Sequence, residues 1–329
     1  MSERVVVIGS NSFSGSHFVD RLLTEGDDVV GISRSPEPNP VFLPYKARST
    51  GRLRFFQLDL NKDLGSIIEV IGDFKPDYVV NFAAQGMVAQ SWQRPEDWFQ
   101  TNVMANVKFH DQLRKCEFLK KYVHVSTPEV YGSCEGVVAE STSYNPSTPY
   151  AVSRAAADMS LMSFFRAYRF PVVFTRSANV YGAGQQLYRI VPRSILCFLT
   201  GKKLALHGGG HSVRSFIHIG DVADGTLRIA RMAPAGEIYH LSTPRMITIR
   251  ALVEMIATRI GIPFDDAVDI VDDRLGKDAA YTLDSTKARA ELGWRDTMTL
   301  ERGIDETIEW VRDHLDVLKQ QQWDYIHKP

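Results

Sequence analysis

The sequence predicts an α/β fold in which helices cover both faces of a doubly wound parallel sheet. Two observations carry this prediction. Short β-branched runs alternate with helical patterns through the first half of the chain, as expected for βαβ units. A glycine-containing turn joins the first run to the first helical pattern, as in the first βα unit of a doubly wound sheet. Six strands are predicted, at Arg4 to Ile8, Asp28 to Ser33, Leu53 to Gln57, Tyr78 to Phe82, Tyr122 to Ser126 and Val172 to Thr175.

The remaining pattern predicts two domains. A chain of 329 residues exceeds the usual length of one domain. The regular alternation ends near Tyr181, after helices that are predicted to begin near Phe13, Lys62, Pro95 and Thr148. We therefore predict a dinucleotide-binding (Rossmann) domain over residues 1–178, to which residues 216–243 return, and a smaller C-terminal, mainly substrate-binding lobe over 179–329. Four prolines between residues 34 and 51 indicate a surface loop there.

Composition narrows the classes of partner. The chain has 38 Lys and Arg residues against 39 Asp and Glu, so its net charge of -1 gives no reason to expect nucleic acid or an anionic membrane as a partner. Its start lacks the features of a signal peptide, and no apolar run is long enough to span a membrane. Cys116, Cys134 and Cys197 match no metal or redox spacing. We expect a cytoplasmic protein. His207 and His211 flank three glycines and are not expected to bind metal.

The turn after the first strand indicates a cofactor site. Gly9, Ser12, Phe13 and Gly15 lie where the pyrophosphate of a dinucleotide would meet the amides of a helix N-terminus, and small residues allow close approach there. A tight turn without a ligand could use the same glycines, but its place in the first βα unit favours a cofactor. The second strand ends in Ser33-Arg34 instead of the acidic residue that binds the ribose of NAD. Unless Arg34 is a solvated loop residue, this favours NADP, with NAD as the alternative.

A second group of residues indicates acid–base chemistry. Tyr150 and Arg154 are four apart at the start of a predicted helix, so they face the same side, and a nearby cation lowers the pKa of a phenol. Alone, such a pair is more often a half-buried tyrosine beside a charge. Thr127 and Glu129, however, follow the fifth strand at the carboxyl edge of the sheet, where α/β enzymes bind ligands.

These residues belong to an ordered series of motifs. The series comprises the turn at Gly9, Asp59-Leu60, Asn81-Phe82-Ala83-Ala84, Thr101-Asn102-Val103, the Ser-Thr-x-Glu-Val-Tyr-Gly segment from Ser126, Tyr150, Asn179-Val180-Tyr181-Gly182, Arg214-Ser215-Phe216, Arg274, Asp284-Ser285-Thr286-Lys287 and Leu292-Gly293-Trp294. The chain thereby resembles the extended short-chain dehydrogenase/reductase family and, within it, the NDP-sugar 4,6-dehydratases.

The resemblance implies a reaction and a set of site residues. Tyr150, helped by Thr127 and with Arg154 beside it, would take the proton of the sugar C4 hydroxyl during oxidation by bound NAD(P). Glu129 would then take the C5 proton, water would be lost, and hydride would return to C6. Cofactor contacts are implied for Asp59, Leu60, Ala83 and Ala84, in addition to the turn, Ser33, Arg34, Tyr150 and Arg154. Substrate contacts are implied for Gln85, Ser91, Asn179, Arg189, Arg214 and Arg274. A homodimer through the helices near Pro95 and Thr148 is implied as well.

Three positions depart from the family pattern. Arg154 replaces a lysine, Pro128 replaces an aspartate that protonates the leaving oxygen, and Gln85-Gly86-Met87 replaces a more polar segment. Proline has no proton to give, although GDP-mannose dehydratases also lack that aspartate. The alternatives are a 5,6-dehydratase, a C4, C5 or C3/C5 epimerase, and a non-catalytic nucleotide-binding protein. Glu129 argues against a plain 4-epimerase, which needs no carbon base.

Overall fold

The fold is built around one large parallel sheet. The computed structural model describes residues 2–48, 50–134, 136–272 and 282–328. Its strands are β1 (Arg4–Ile8), β2 (Asp28–Ser33), β3 (Leu53–Gln57), β4 (Tyr78–Asn81), β5 (Lys121–Val125), β6 (Val137–Val138), β7 (Val172–Ser177), β8 (Asn179–Tyr181), β9 (Leu204–His207), β10 (Val213–His218), β11 (Ile238–Leu241), β12 (Met246–Thr248), β13 (Val268–Val271) and β14 (Thr282–Leu283).

Seven strands form the large sheet, in the order β11-β7-β5-β4-β1-β2-β3. All neighbours are parallel, with Val6 of β1 opposite Val30 of β2 and Val79 of β4. Alternate side chains of β1 enter the two faces, because successive residues of a strand point to opposite sides. Val5 and Val7 belong to one buried cluster, and Val6 and Ile8 belong to the other. The predicted fold class is therefore confirmed.

Helices cover both faces of this sheet. One face carries the first and seventh helices, which pack together through residues such as Phe18 and Ile229, and the other carries the second, fourth and fifth. The helices are α1 (Phe13–Glu25), α2 (Leu64–Phe74), α3 (Pro95–Phe99), α4 (Asn106–Leu113), α5 (Pro149–Tyr168), α6 (Ile190–Leu199), α7 (Ile219–Met232), α8 (Ile249–Ile260), α9 (Phe264–Ala267), α10 (Thr286–Leu292), α11 (Leu300–Asp313) and α12 (Leu315–Lys319).

A second core lies beside the carboxyl edge of the large sheet. It joins α6, α8 and α11 through buried residues that include Ile195, Ile256 and Ile304. Two small sheets, β12-β10-β8 and β13-β9, accompany these helices. We call this part of the molecule the lobe. The predicted division at residue 178 stays a prediction, because the chain crosses between the sheet and the lobe more than once.

Most predicted elements are found within two residues of their observed ends. The helix predicted near Pro95 is interrupted, since a π-helical stretch (Gln100–Ala105) separates α3 from α4. The loop after β2 contains two short 3-10 turns, Pro40–Phe42 and Pro44–Ala47. Within the described residues, no helix combines the length and the apolar character needed to cross a lipid bilayer.

Candidate active site

A cleft of about 1270 Å³ separates the carboxyl edge of the large sheet from the lobe. Parallel strands bring their carboxyl ends to one edge, so the segments that follow β1, β2, β4, β5 and β7 meet there. The lining includes twelve of the residues predicted for the site, namely Ser12, Phe13, Arg34, Ala84, Gln85, Thr127, Glu129, Tyr150, Arg154, Asn179, Arg189 and Arg214.

The turn between β1 and α1 has the shape of a phosphate site. Gly9 has a φ of 79°, and a Cβ on Gly15 would lie 2.1 Å from the carbonyl oxygen of Gly9, so both positions require glycine. The Ser12 hydroxyl caps α1 by accepting from the amide of Gly15 at 3.1 Å. The amides of Phe13 and of the next residue lie in the first turn of the helix, where N–H groups have no intrahelical acceptor. These residues therefore fit the pyrophosphate of a dinucleotide.

The end of β2 offers a hydroxyl and a guanidinium. The Ser33 hydroxyl is buried and accepts from the amide of Asn11 at 3.2 Å, which ties β2 to the glycine turn. Arg34 is half-buried and lines the cleft. Its Nη2 donates to the carbonyl oxygen of Lys328 at 3.0 Å.

A short 3-10 turn (Pro128–Tyr131) presents Thr127 and Glu129. The Thr127 hydroxyl caps the turn by accepting from the amide of Glu129 at 3.3 Å. Pro128 is the first residue of the turn, a position where its missing N–H removes no internal hydrogen bond. Gly132 ends the turn with a φ of 70°, and a Cβ there would lie 1.9 Å from the carbonyl oxygen of Asn145. Pro128 therefore suits the local backbone, whatever its effect on proton transfer.

Tyr150 reaches the cleft from the first turn of α5. Thr148 caps this helix by accepting from the amide of Ala151 at 3.1 Å, and Pro149 follows at its first position. The Tyr150 phenol forms a hydrogen bond with Thr127. Burial raises the pKa of Tyr150 above its usual value, while the charge of Arg154 and the Thr127 hydrogen bond oppose the rise. Arg154 acts in the direction that the sequence indicates, but desolvation of the phenolate is the larger effect, so the pKa of Tyr150 is raised overall.

Arg154 is held from below by a buried polar layer. Its side chain is 2% exposed and donates to the carbonyl oxygen of Val125. One turn further along α5, Asp158 is fully buried, accepts from Ser126 at 2.7 Å and pairs with Arg176 of β7 at 2.8 Å. We call Ser126, Asp158 and Arg176, with the buried His124, the floor layer. This layer was not predicted from the sequence, although the spacing of four residues places Arg154 and Asp158 on one face of the helix and could have indicated it.

The lobe supplies the opposite wall of the cleft. Arg189 is the residue that immediately precedes α6, and it lines the cleft. Its guanidinium lies 5.5 Å from the ring centroid of Tyr188. Asn179 donates to the carbonyl oxygen of Ser215 at 3.2 Å, and Arg214 donates to that of Val213 at 2.8 Å. This wall can hold the two phosphates of a nucleotide.

Seven of the predicted residues lie behind the lining. Gly9, Gly15, Ser33 and Ala83 shape the backbone beneath it. Asp59 caps its own turn by accepting from the amide of Asn61 at 2.9 Å, Leu60 packs in the core, and the buried Ser91 hydroxyl donates to Val88. Arg274 lies outside the described residues.

His207 and His211 flank a 3-10 turn (Gly208–Gly210), and no cluster of His, Cys, Asp or Glu within the described ranges could hold a metal ion.

The segment formed by residues 323–328 reaches the cleft as well, and it was not predicted to do so. The alternation of Trp323, Tyr325 and His327 was the available signal for an extended segment.

The cleft thus combines a glycine turn, the half-buried Tyr150 with Thr127 and Glu129, and an arginine-rich wall. These features define a nicotinamide-dependent enzyme class that acts on phosphorylated small molecules. The sequence model of the family described as "GDP-mannose 4,6 dehydratase" matches residues 6–307. The chain belongs to this family. A probable dTDP-glucose 4,6-dehydratase of Sinorhizobium fredii is 31% identical, over 94% of this chain and 93% of that protein.

Solved structures give the same result. The dTDP-glucose 4,6-dehydratase of Streptomyces venezuelae, solved with NAD and TYD bound, has a TM-score of 0.88 and 32% identity, over 95% of this chain and 98% of that one. The UDP-glucose 4-epimerase of Thermotoga maritima, solved with UDP-glucose, has a TM-score of 0.86 and 26% identity, over 95% and 99% of the two chains. These comparisons confirm the predicted family and the class of nicotinamide-dependent nucleotide-sugar dehydratase.

Proposed function

We propose that this protein converts a nucleotide-diphosphate hexose into its 4-keto-6-deoxy derivative, with Tyr150, Thr127 and Glu129 as the acid–base residues. The observation that carries the proposal is the convergence of these three side chains on a cleft that also contains a dinucleotide turn and Arg189. A bound nicotinamide supplies the acceptor for hydride from C4 and the donor that returns it to C6.

Tyr150 takes the proton of the C4 hydroxyl. Its raised pKa means that little phenolate is present at neutral pH, so Thr127 and Arg154 must stabilise the ionised form during the reaction. The resulting 4-ketone acidifies the hydrogen at C5. Removal of that hydrogen requires a base within reach of a carbon acid, and Glu129 is the carboxylate that lines the cleft beside Tyr150.

Glu129 also delivers the proton that the departing C6 oxygen needs. The C5–H bond breaks, its electron pair forms the C5–C6 double bond, and the C6–O bond breaks as water leaves. Hydride then enters at C6 and a solvent proton enters at C5. Pro128 cannot share this work, so both proton transfers rest on Glu129 or on a water that it holds.

NADP is the cofactor that we favour, with NAD as the alternative. β2 ends in Ser33 without a carboxylate beside the ribose position, and the Arg34 guanidinium lines the cleft next to it, which suits a 2′-phosphate. Arg34→Ala is expected to weaken NADP binding about tenfold, the scale of a charged hydrogen bond, and to leave NAD binding nearly unchanged. Equal losses for both cofactors in titrations of intrinsic fluorescence would point to NAD.

The test of the reaction is a panel of GDP-, dTDP-, UDP- and CDP-hexoses and heptoses followed by mass spectrometry and by NMR in deuterium oxide. Loss of one water, a new C6 methyl group and deuterium at C5 are expected. Glu129→Gln should abolish C5 exchange and elimination together. A product of unchanged mass with an inverted centre would favour the second candidate, C5 epimerisation. That reaction needs the same Tyr150 and Glu129, and since no water leaves, it needs no proton donor at the position of Pro128.

A homodimer is proposed on the face formed by α3, the π-helical stretch and α5. Phe99, Met104, Val152 and Met159 are 38% to 57% exposed on these adjoining helices, and a second copy would cover them in a four-helix contact. Met159→Glu should shift the mass seen by light scattering from dimer to monomer. A monomeric parent protein at micromolar concentration would contradict this proposal. We also propose that the protein functions in the cytoplasm. Its three cysteines are free thiols, as expected in a reducing compartment.

A further inference from the structure

Residues 323–328 cross the mouth of the cleft as an extended segment, which we call the strap. Trp323, Tyr325 and His327 are half-buried, whereas the residues between them are exposed. Such alternation is expected when one side of an extended chain lies on a surface. The strap is therefore packed through every second side chain.

The lobe holds one end of the strap. Arg193 donates to the carbonyl oxygen of Trp323 at 2.9 Å, and the Trp323 ring lies 4.4 Å from the ammonium of Lys202. The ring of Tyr325 meets that of Tyr188 edge-on at 5.4 Å. Tyr188 lies beside Arg189, so this contact is made at the phosphate-binding wall.

The Rossmann part holds the other end. The His327 ring stacks on Trp98 with 4.8 Å between centroids and 7° between planes, and its Nε2 lies 2.7 Å from Asp97 Oδ2. Trp98 is fully buried and donates to the carbonyl oxygen of Gly86 at 2.7 Å. This anchor is rigid, because Trp98 cannot move without disturbing the core.

The last contact of the strap reaches the cofactor end of the cleft. The carbonyl oxygen of Lys328 accepts from Arg34 at 3.0 Å and from Gln85 at 2.5 Å. Arg34 follows β2 and Gln85 follows β4, on either side of the β1 turn. A cofactor lying on that turn would therefore be covered by the strap.

We propose that the strap retains the nicotinamide cofactor between turnovers. This inference rests on the proposed function, in which hydride leaves the sugar and returns to it, so the cofactor ends each cycle as it began and need not leave. A cover over the cofactor end does not slow such a cycle, because only the sugar nucleotide must enter and leave in each turnover.

The experiment measures cofactor release without any sugar substrate. The full chain is loaded with NADPH, and loss of its fluorescence is followed after an excess of NADP⁺ is added. The measurement is repeated with a chain ending at Asp324, which keeps Trp323 on the lobe, and with His327→Ala. Gln322→Ala, an exposed residue just before the strap, is the matched control. Thermal melts verify that all variants are folded.

Release on the order of tenfold faster is expected for the shortened chain and for His327→Ala, because opening then breaks fewer stacking and hydrogen-bonding contacts. Association should also be faster, and the control should match the full chain. Equal release rates in the full and shortened chains would overturn the strap proposal and leave the proposed function intact. Failure of the full chain to bind either NADPH or NADH would contradict both, whereas faster release without turnover on the sugar panel would contradict the proposed function alone.

Discussion

The floor of the cleft, at the ends of β5 and β7, is held by buried hydrogen bonds, whereas the polar side chains of the lobe wall are half-buried or exposed. Asp158 and Arg176 in the floor layer are fully buried. The pair between Arg193 of the lobe and Asp324 of the strap leaves 29% and 77% of the two side chains exposed. Breaking a buried pair is costly, while an exposed pair contributes little.

This difference separates reaction from recognition. The residues that we propose to move protons lie on the floor, where a shift of the backbone would disturb Thr127, Tyr150 and Arg154 together. The residues that we propose to bind the nucleotide lie on the wall, where side chains can change without unfolding the core. A family built this way can keep its chemistry while it changes its substrate. Substitutions on the floor and on the wall should therefore have different effects.

The largest effect is expected for Tyr150→Phe, on the floor. Removing the phenol should lower kcat about 10³-fold, the scale of a lost general base, while cofactor and nucleotide binding remain. Steady-state kinetics and fluorescence titration measure the two effects separately. Tyr188→Phe, on the wall, is the matched control and should retain most activity. Comparable losses in both variants would remove the distinction between floor and wall.

The floor layer should also dominate stability. Asp158→Ala leaves Arg176 buried without its carboxylate and should lower the free energy of unfolding by about 3 kcal/mol or more. Asp158→Asn, which keeps the acceptor for Ser126, should lower it less. Urea denaturation measures both variants. If Arg193→Ala lowered the free energy of unfolding by a similar amount, the exposed ion pair of Arg193 would stabilise the protein as much as the buried one.

Acid should destabilise the protein through buried histidines such as His110 of α4. Burial lowers the pKa of His110 to about 3, so the unfolded chain, in which a histidine has its usual pKa of about 6.5, binds a proton first as the pH falls. The stability due to neutral His110 is complete above pH 6.5 and is lost at about 1.4 kcal/mol per pH unit from there toward pH 3. His110→Gln should make this slope shallower in urea denaturation between pH 7.5 and 5.5, and an unchanged slope would contradict the prediction.

The smallest effect is expected on the wall. Arg189→Ala removes one charged contact to the diphosphate and should raise KM about tenfold with little change in kcat, since binding is lost equally in ground and transition states. Arg259→Ala, which breaks an exposed pair with Asp305 on the far side of the lobe, is the control. A larger fall in kcat than rise in KM would assign Arg189 to the floor's chemistry.

The sequence predicted the parts of the molecule that local patterns determine. β1, β2 and β3 were predicted residue for residue, because β-branched runs and flanking turns fix a buried strand. The convergence of Thr127, Glu129 and Tyr150 followed from the rule that parallel strands share a carboxyl edge. Pro128 and Gly132 suit the ends of the turn that holds Glu129. The close approach of Asn145 to Gly132, which the sequence does not show, is a further reason why this position requires glycine.

The parts that were missed depend on contacts between distant residues. The net rise in the pKa of Tyr150 comes from burial, which the spacing to Arg154 does not reveal. Asp158 of α5 pairs with Arg176 of β7, and the strap contacts Arg34 and Gln85, which lie more than 240 residues away in sequence. Local sequence patterns carry no information about such long-range contacts.

The path of the chain between the sheet and the lobe has a practical consequence. After β7 the chain enters the lobe, returns through α7 to β11 and enters the lobe again at β12 and α8, while α11 comes from beyond α10. An engineer who wished to graft the lobe of a relative onto this sheet would need several splice points, each of them packed. Exchange of specificity is therefore easier by single side chains on the wall than by recombination of whole segments.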